Sequence, residues 1–156
     1  MSNIDKKQAL LSPCNGEIIK LEDVEDEVFS SGMLGMGFGI IPETKDFYSP
    51  VNGKITNAHQ HGHAYMIETD DGLELLIHIG IDTVALEGEC FSPVVKANMR
   101  VCQGDKLTYA DVDRIRAKGF DPVVAVIITN SESVEHFKMN YGKATTGQAV
   151  MEYTLK

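Results

Sequence analysis

Short runs of apolar or alternating residues recur along the chain, separated by glycine, proline and other turn residues. The clearest runs are "GEIIKL", "GFGIIP", "GKITNA", "HAYMIET", "LELLIHIG", "PVVAVIITN" and "AVMEYTL". Short runs with this spacing predict an antiparallel β-sandwich or barrel-like fold rather than a parallel sheet with crossover helices. Only "ADVDRIRAKG" has convincing helical spacing, with Asp111 as the expected cap and Gly119 at the expected end. The pattern therefore predicts an all-β fold with at most one or two short helices.

Two motifs each occur twice. "SPCNGEI" at 12–18 returns as "SPVNGKI" at 49–55, and "VCQGDKL" at 101–107 has a fainter echo in "ATTGQAV" at 144–150. Repeats of this kind indicate a duplicated motif that closes a two-sheet structure. The alternative is chance, because Pro-x-Asn-Gly favours turns in any protein. Residues 1–10 are predicted to form a flexible N-terminal tail and residues 11–156 a single domain.

Composition and charge narrow the class of partner. The chain has 156 residues, enough for one domain with a proper core, and a formal net charge of −9. An acidic surface repels phosphate backbones and anionic lipid, so neither nucleic acid nor a membrane surface is an expected partner. We expect no export signal and no membrane insertion, since no segment is apolar enough. The three cysteines lack CxxC spacing, which is typical of a cytoplasmic protein.

A histidine, His78, stands at the centre of the very apolar run "LELLIHIG". The preceding strand is joined to this run by "DDG", a hairpin signal. A two-residue turn at Asp71-Gly72 would pair His63 with Gly80 and place His63 and His78 on one face as diagonal neighbours. A three-residue loop would shift the register and place them on opposite faces.

Two imidazoles on one strand surface suit two chemistries. They can bind zinc through neutral nitrogens, or one can attack a phosphoryl group while the other donates a hydrogen bond to it. The carboxylate of Asp82 or the hydroxyl of Thr83 could orient the His78 ring. The alternative without chemistry is a core histidine with satisfied hydrogen bonds. His59 and His61 are expected in a solvated strand end or loop, and "GMLGMGFG", which lacks the Lys-Ser/Thr of a P-loop, in a loop that approaches another segment closely.

Several of these segments have a familiar pattern. "SPVNGKI", "GHAYMIET", "ELLIHIGIDTVALEGECF", "GDKL" and "DPVVAVIITN" together resemble the glucose-type enzyme IIA family of the bacterial phosphoenolpyruvate-dependent sugar phosphotransferase system. The resemblance runs from about Leu11 to the C-terminus. The segment "DRIRAKGFDPVVAVIITN" is more similar to the IIA domains of β-glucoside and sucrose permeases. The resemblance implies an antiparallel β-sandwich with a duplicated motif and a phosphotransferase component without an organic cofactor.

The resemblance also implies roles for individual residues. His78 would carry the phosphoryl group on Nε2, receiving it from the histidine-containing phosphocarrier protein and passing it to a cysteine of the enzyme IIB domain of a sugar permease. His63 would stabilise the phosphoryl group without holding it covalently, and Asp82 would face arginines of the partners. An apolar docking patch around the site, unless its members serve only in packing, would comprise Met36, Phe38, Leu76 and Val84.

The chain departs from the family pattern at three positions. The family usually has a threonine at the position of His61, with its hydroxyl bonded to the nucleophilic ring, so His61 would orient His78 in its place. The family often has an aspartate where this chain has Met36. It usually has a glycine where this chain has Cys90. The change at His61 affects the hydrogen bonds of the site, and the change at Met36 removes one carboxylate that would face the partners.

Two alternative functions remain open at this point. One is a zinc-dependent hydrolase of the lysostaphin type, using His61 and His63 together with His78 and Asp82. Those enzymes usually carry the two motifs in the opposite order and are generally exported. In the phosphocarrier interpretation no metal is expected, and zinc bound at His63 and His78 would be adventitious. The other alternative is a regulatory binding module that has lost phosphoryl transfer.

Overall fold

The computed structural model describes residues 8–156. Within this range the strands are β1 (Gln8–Leu11), β2 (Gly16–Lys20), β3 (Met36–Pro42), β4 (Asp46–Tyr48), β5 (Gly53–Ala58), β6 (Ala64–Thr69), β7 (Glu74–Ile79), β8 (Phe91–Pro93), β9 (Arg100–Val101), β10 (Lys106–Ala110), β11 (Val124–Ile128), β12 (Val134–Met139), β13 (Gly142–Ala144) and β14 (Ala149–Leu155). The α-helices in this range are α1 (Glu27–Ser30) and α2 (Val112–Ala117), and short 3₁₀ turns cover Leu21–Asp23, Thr83–Leu86 and Ser131–Ser133. Neither helix is long and apolar enough to cross a membrane.

The strands form three antiparallel sheets. The largest has the order β13-β2-β3-β11-β7-β6-β5-β9, and the two smaller ones have the orders β1-β14-β12 and β4-β10-β8. Neighbouring strands in the large sheet are antiparallel throughout. The predicted all-β antiparallel fold with short helices is therefore confirmed.

Two apolar clusters lie on opposite faces of the large sheet. On β7, Leu75, Ile77 and Ile79 point into the main core and are at most 1% exposed. The other face is covered by a smaller cluster, in which Phe29 of α1 packs with residues of β11. Leu76 packs against this smaller cluster. Because strand residues alternate between faces, His78 shares the face of Leu76, outside the main core.

The duplicated motif has the same hydrogen bonds in both copies. The amide of Ser12 donates to the Gln148 carbonyl (2.8 Å), and the amide of Ser49 donates to the Asp105 carbonyl (2.7 Å). The two serines are both buried. The strand that begins within the first copy, β2, pairs with β13, and the strand that begins within the second, β5, pairs with β9. Chance repetition of a turn would not reproduce these long-range contacts, so the duplication is confirmed.

The glycine-rich segment "GMLGMGFG" approaches strand β11 closely, as predicted. A Cβ atom at Gly37 would lie 1.9 Å from the Val126 carbonyl oxygen, and one at Gly35 would lie 2.1 Å from that of Ile128. The end of the segment is not a loop, because β3 begins at Met36. Glycine here allows the backbones of β3 and β11 to pack without a side chain between them.

Helix α2 forms where the sequence predicts it. The Asp111 carboxylate accepts a hydrogen bond from the Arg114 amide at 3.2 Å, which satisfies a free N–H group of the first turn. Ile115 is fully buried. Gly119 ends the segment with a φ of +89°, a conformation that favours glycine after a helix.

The predicted N-terminal tail is too long by at least three residues. Residues 8–10 belong to β1, which pairs with β14, and Leu10 is fully buried. The strand is only four residues long, and its partner lies at the other end of the chain, so local pattern could not reveal it. The rest of the predicted tail, residues 1–7, lies outside the described residues.

Cys90 has a backbone conformation that favours glycine. Its φ is +82°, where a Cβ atom costs on the order of 1–2 kcal/mol. We predict that the Cys90→Gly variant is about 1 kcal/mol more stable than Cys90→Ala, since both lose the thiol but only glycine also loses Cβ. Urea unfolding midpoints of the two variants measure this difference. Equal midpoints, or a higher one for Cys90→Ala, would show that the position carries no strain.

Candidate functional site

His78 lies at the end of β7, with one ring nitrogen hydrogen-bonded to the backbone and the other without a hydrogen bond in residues 8–156. Its Nδ1 lies 2.8 Å from the Gly80 carbonyl oxygen. A carbonyl can only accept, so the neutral ring carries its proton on Nδ1 and has a lone pair on Nε2. The Phe29 ring packs beside it, with centroids 5.1 Å apart. A backbone carbonyl and an apolar neighbour thus hold a neutral imidazole with Nε2 available for attack.

The register of the β6–β7 hairpin differs from the prediction by one residue. Ala64, not Tyr65, lies opposite His78. The Thr69 amide donates to the Leu73 carbonyl at 2.8 Å, so the loop is the three-residue Asp70–Gly72. Gly72 has a φ of +97°, as is usual at the third position of such loops. The predicted two-residue turn is wrong.

His63 nevertheless meets His78. The two ring centroids are 5.0 Å apart, nearly perpendicular at 78°. Strict alternation would have placed His63 on the opposite face, but it lies just before β6 and follows Gly62, whose φ is +83°. There the chain leaves the regular pleat, and the expectation that a three-residue loop separates the two histidines is also wrong. His63 is 3% exposed.

Two further histidines surround His63. The ring centroid of His59 is 4.4 Å from that of His63, and the ring centroid of His61 is 5.2 Å from that of His59. The sequence prediction placed His59 and His61 in a solvated strand end or loop, and it missed the contact of His59 with the site. The available clue is the alternation in "HQHGH", which repeats histidine every second residue.

Burial lowers the pKa of both central imidazoles, and both are neutral at pH 7. Burial, followed by the charges of His78, His59 and His61, lowers the pKa of His63 to about 4. Burial also lowers the pKa of His78, while the Gly80 carbonyl and the nearby carboxylates of Asp26 and Asp82 oppose that shift. A neutral imidazole is the form that can act as a nucleophile or as a metal ligand.

The low pKa of His63 predicts a loss of stability in mild acid. An unfolded histidine has a pKa of about 6.5, above the folded value of about 4, so the unfolded chain binds the extra proton between these values. The contribution of neutral His63 to the free energy of unfolding is fully present above about pH 6.5. It is lost, by up to about 3 kcal/mol, as the pH drops toward 4. Urea unfolding of the wild type and His63→Gln across this range tests it. If the free energy of unfolding depended on pH in the same way in both proteins, the prediction would be contradicted.

In residues 8–156 the predicted orienting residues form no hydrogen bond to the His78 ring. The Thr83 hydroxyl is buried and donates to the Ile79 carbonyl at 2.6 Å. The His61 amide donates to Nδ1 of His59 at 3.1 Å. The hydrogen bond that orients the His78 ring is accepted by the Gly80 carbonyl and does not involve His61 or Thr83. Asp82 is exposed on the turn after His78, and its charge acts on His78 without a hydrogen bond to it.

The four residues of the predicted docking patch differ in how far they are exposed. Phe38 is fully buried, because it points with Ile40 from β3 into the main core, and it cannot contact a partner. Met36 and Leu76 are partly buried and packed against the two clusters. Val84 is 48% exposed on the turn that follows His78. Val84 is therefore the member of the predicted patch that is open to a partner.

The zinc-hydrolase alternative lacks a metal site in the described part of the chain. Between residues 8 and 156 no group of three or more histidine, cysteine, aspartate or glutamate side chains is arranged to hold a metal ion. A catalytic zinc needs three protein ligands. The proposed set of His61, His63, His78 and Asp82 does not converge on one point.

An all-β domain with two neutral imidazoles in contact beside a sheet is suited chemically to phosphoryl transfer. Comparison with known families agrees. The family model described as "phosphoenolpyruvate-dependent sugar phosphotransferase system, EIIA 1" matches residues 8–134. The chain belongs to this enzyme IIA family, and it is a phosphotransferase component of sugar uptake.

Individual relatives support the assignment. The glucose-specific EIIA component of Mycoplasma capricolum is 41% identical over 148 residues, covering 94% of this chain and 95% of the relative. The β-glucoside-specific EIIBCA component of Bacillus subtilis is 43% identical over 126 residues, covering 81% of this chain but only 21% of that longer protein. The solved structure of glucose permease IIA from Mycoplasma capricolum matches with a TM-score of 0.91 and 38% identity, covering 97% of this chain and 99% of that one.

Proposed function

We propose that His78 accepts a phosphoryl group on Nε2 from the phosphohistidine of the histidine-containing phosphocarrier protein. His78 then passes the group to a cysteine of the enzyme IIB domain of a sugar permease. The observation that carries the proposal is the 2.8 Å contact between Nδ1 of His78 and the Gly80 carbonyl oxygen, which leaves the lone pair on Nε2. Family membership supports the reaction class.

The two steps balance without an organic cofactor. In the first, the Nε2 lone pair of His78 attacks phosphorus, a new N–P bond forms, and the donor's N–P bond breaks with its electron pair returning to the donor ring. In the second, a cysteine thiolate attacks the same phosphorus, an S–P bond forms, and His78 leaves as the neutral imidazole. The lowered pKa of His78 favours both the attacking and the leaving form.

His63 supplies a hydrogen bond to the phosphoryl oxygens in this proposal. Its Nδ1 is buried without a hydrogen-bond partner among the described residues. A buried N–H without an acceptor is costly, and this favours the tautomer with the proton on Nε2. The pKa of about 4 keeps the ring neutral, so it can donate one hydrogen bond without adding charge. Phosphoryl transfer gains chiefly from such positioning and from stabilisation of the spread negative charge.

Partner docking involves the exposed turn after His78. Val84 offers an apolar side chain there, with Asp82 beside it, and Met36 and Leu76 contribute the parts of their side chains left open by packing. The net charge of −9 attracts a partner with a basic patch and speeds its association. We infer that donor and acceptor use this face in turn.

The nitrogen that carries the phosphoryl group tests this proposal directly. The chain is incubated with phosphoenolpyruvate, enzyme I and the phosphocarrier protein, and ¹⁵N spectra locate the modified nitrogen. We expect one acid-labile phosphoryl group on Nε2 of His78, with Nδ1 still protonated toward Gly80. A phosphoryl group on Nδ1, on another residue, or none at all would contradict the proposal.

A further inference from the structure

The buried Nδ1 of His63 lacks a hydrogen-bond partner in residues 8–156. Buried polar atoms in native proteins nearly always have one, and this ring is only 3% exposed. The Phe91 ring on one side, 6.2 Å away between centroids, has no hydrogen-bonding atom. His78 already directs its Nδ1 to Gly80. Neither of these two rings can therefore donate a hydrogen bond to Nδ1 of His63.

His59 is the neighbour whose ring lies nearest to the His63 ring. A tight turn fixes its backbone: the His59 amide donates to the Ala64 carbonyl, and the His59 carbonyl accepts from the Gly62 amide, both at 2.9 Å. The ring centroids of His59 and His63 are 4.4 Å apart at an interplanar angle of 56°. The two rings are therefore in contact, and a hydrogen bond between them needs one nitrogen of each ring at about 3 Å.

The proton of His59 is on the nitrogen that such a bond requires. The backbone amide of His61 donates to Nδ1 of His59 at 3.1 Å. Nδ1 must therefore be an acceptor, and the neutral ring carries its proton on Nε2. His59 thus has a free Nε2–H donor beside a buried acceptor that lacks a donor.

We propose that His59 is a positioning residue of the phosphoryl site, donating its Nε2–H to Nδ1 of His63. The hydrogen bonds then form a chain: the His61 amide donates to His59, His59 donates to His63, and His63 donates its own Nε2–H to the phosphoryl group on His78. The proposal rests on the function proposed above for His63 and His78. Its consequence is that His59 locks His63 in the one tautomer that can donate to the phosphoryl oxygens.

The choice of His63 tautomer matters because the other tautomer is unfavourable for phosphoryl transfer. With its proton on Nδ1, His63 would present a lone pair to negatively charged oxygens. A second group that fixes the tautomer of an active-site histidine is a common way to orient it. His59 acts here only through His63 and does not itself touch the reacting atoms.

Two variants of the full chain separate this role from simple packing. His59→Phe keeps a ring of similar shape but has no donor, whereas His59→Gln keeps an acceptor for the His61 amide and a donor for His63. We expect transfer from the phosphorylated chain to the IIB domain of the Bacillus subtilis β-glucoside component to slow about tenfold in His59→Phe. We expect His59→Gln to stay within about threefold of the wild type. The ¹⁵N spectrum of His63 should show the Nε2–H tautomer in the wild type and a mixture in His59→Phe.

A double-mutant cycle decides whether His59 acts through His63. In a His63→Ala background, His59→Phe should have no further effect on transfer. Equal slowing in both backgrounds, or an unchanged His63 tautomer in His59→Phe, would overturn the proposal. Failure of the underlying function is distinguishable, because it would appear in the wild type as a phosphoryl group somewhere other than His78.

Discussion

Substitution of His78 by alanine is expected to abolish phosphorylation of the chain. In the proposed reaction the imidazole is the nucleophile, and its Nε2 lone pair has no substitute, because His63 is 3% exposed and its own Nε2 carries the proton. Mass spectrometry after incubation with phosphoenolpyruvate, enzyme I and the phosphocarrier protein should show no added phosphoryl group. The loss should be complete rather than partial.

A matched control is available on another sheet. The side chain of His136 on β12 is 80% exposed, and His136→Ala should be phosphorylated as fast as the wild type. The His78→Ala protein should also remain folded, since His78 is only partly buried and its ring makes a single hydrogen bond. Label retained by a folded His78→Ala protein would move the acceptor to another residue.

The second large effect is expected for His63→Ala. Removal of one preorganised hydrogen-bond donor at a developing anion slows reactions on the order of 10²–10³-fold. Transfer from the phosphorylated chain to the IIB domain should fall by about that factor, while some acceptance at His78 persists because the nucleophile is intact. Rapid-quench measurement of single-turnover transfer resolves the two steps.

A glutamine at position 63 serves as the companion variant. Its side-chain amide retains a donor, so His63→Gln should recover part of the rate lost in His63→Ala. If both variants were phosphorylated normally but neither passed the group to the IIB domain, His63 would have a role that an amide cannot replace. Full-speed transfer in His63→Ala would remove His63 from the site altogether.

The elements that could be predicted from sequence are those fixed by neighbouring residues. The run "GKITNA" alternates along one strand, and β5 covers the same six residues. Helix α2 is set by Asp111 before it and Gly119 after it. The short strands β4, β8, β9 and β13 are two or three residues long, too short for a periodic pattern, and pairing with distant strands defines them.

The register of the β6–β7 hairpin depended on a residue far along the chain. The Asn130 side chain donates to the Gly72 carbonyl at 2.9 Å and accepts from the Glu74 amide at 2.8 Å. The Thr69 hydroxyl also accepts from the Leu73 amide at 2.8 Å. These contacts stabilise the three-residue loop against the two-residue turn. Nothing in "TDDGLE" itself could report the contribution of Asn130.

The site was predicted unevenly for the same reason. The contact between His63 and His78 was expected on a register that proved wrong, and it arises because His63 lies outside β6. Phe38 was expected in the docking patch, with packing as the alternative, and packing is what β3 gives it, since its side chain points into the main core. The role of the Gly80 carbonyl could not be predicted, since any residue carries a carbonyl and only the fold aims it.

The pairing of the first and last described strands determines how the domain responds to tension. In β1 and β14, Gln8 lies opposite Tyr153 and Leu11 opposite Ala149, so the two outer ends leave from the same edge. A force that pulls these ends apart breaks the hydrogen bonds between the two strands one after another rather than all at once. Peeling would proceed to Leu11, whose amide is bonded to the Pro50 carbonyl at 3.1 Å. A tethered domain would thus yield first at its margin, while the large sheet that holds His78 is still unstrained.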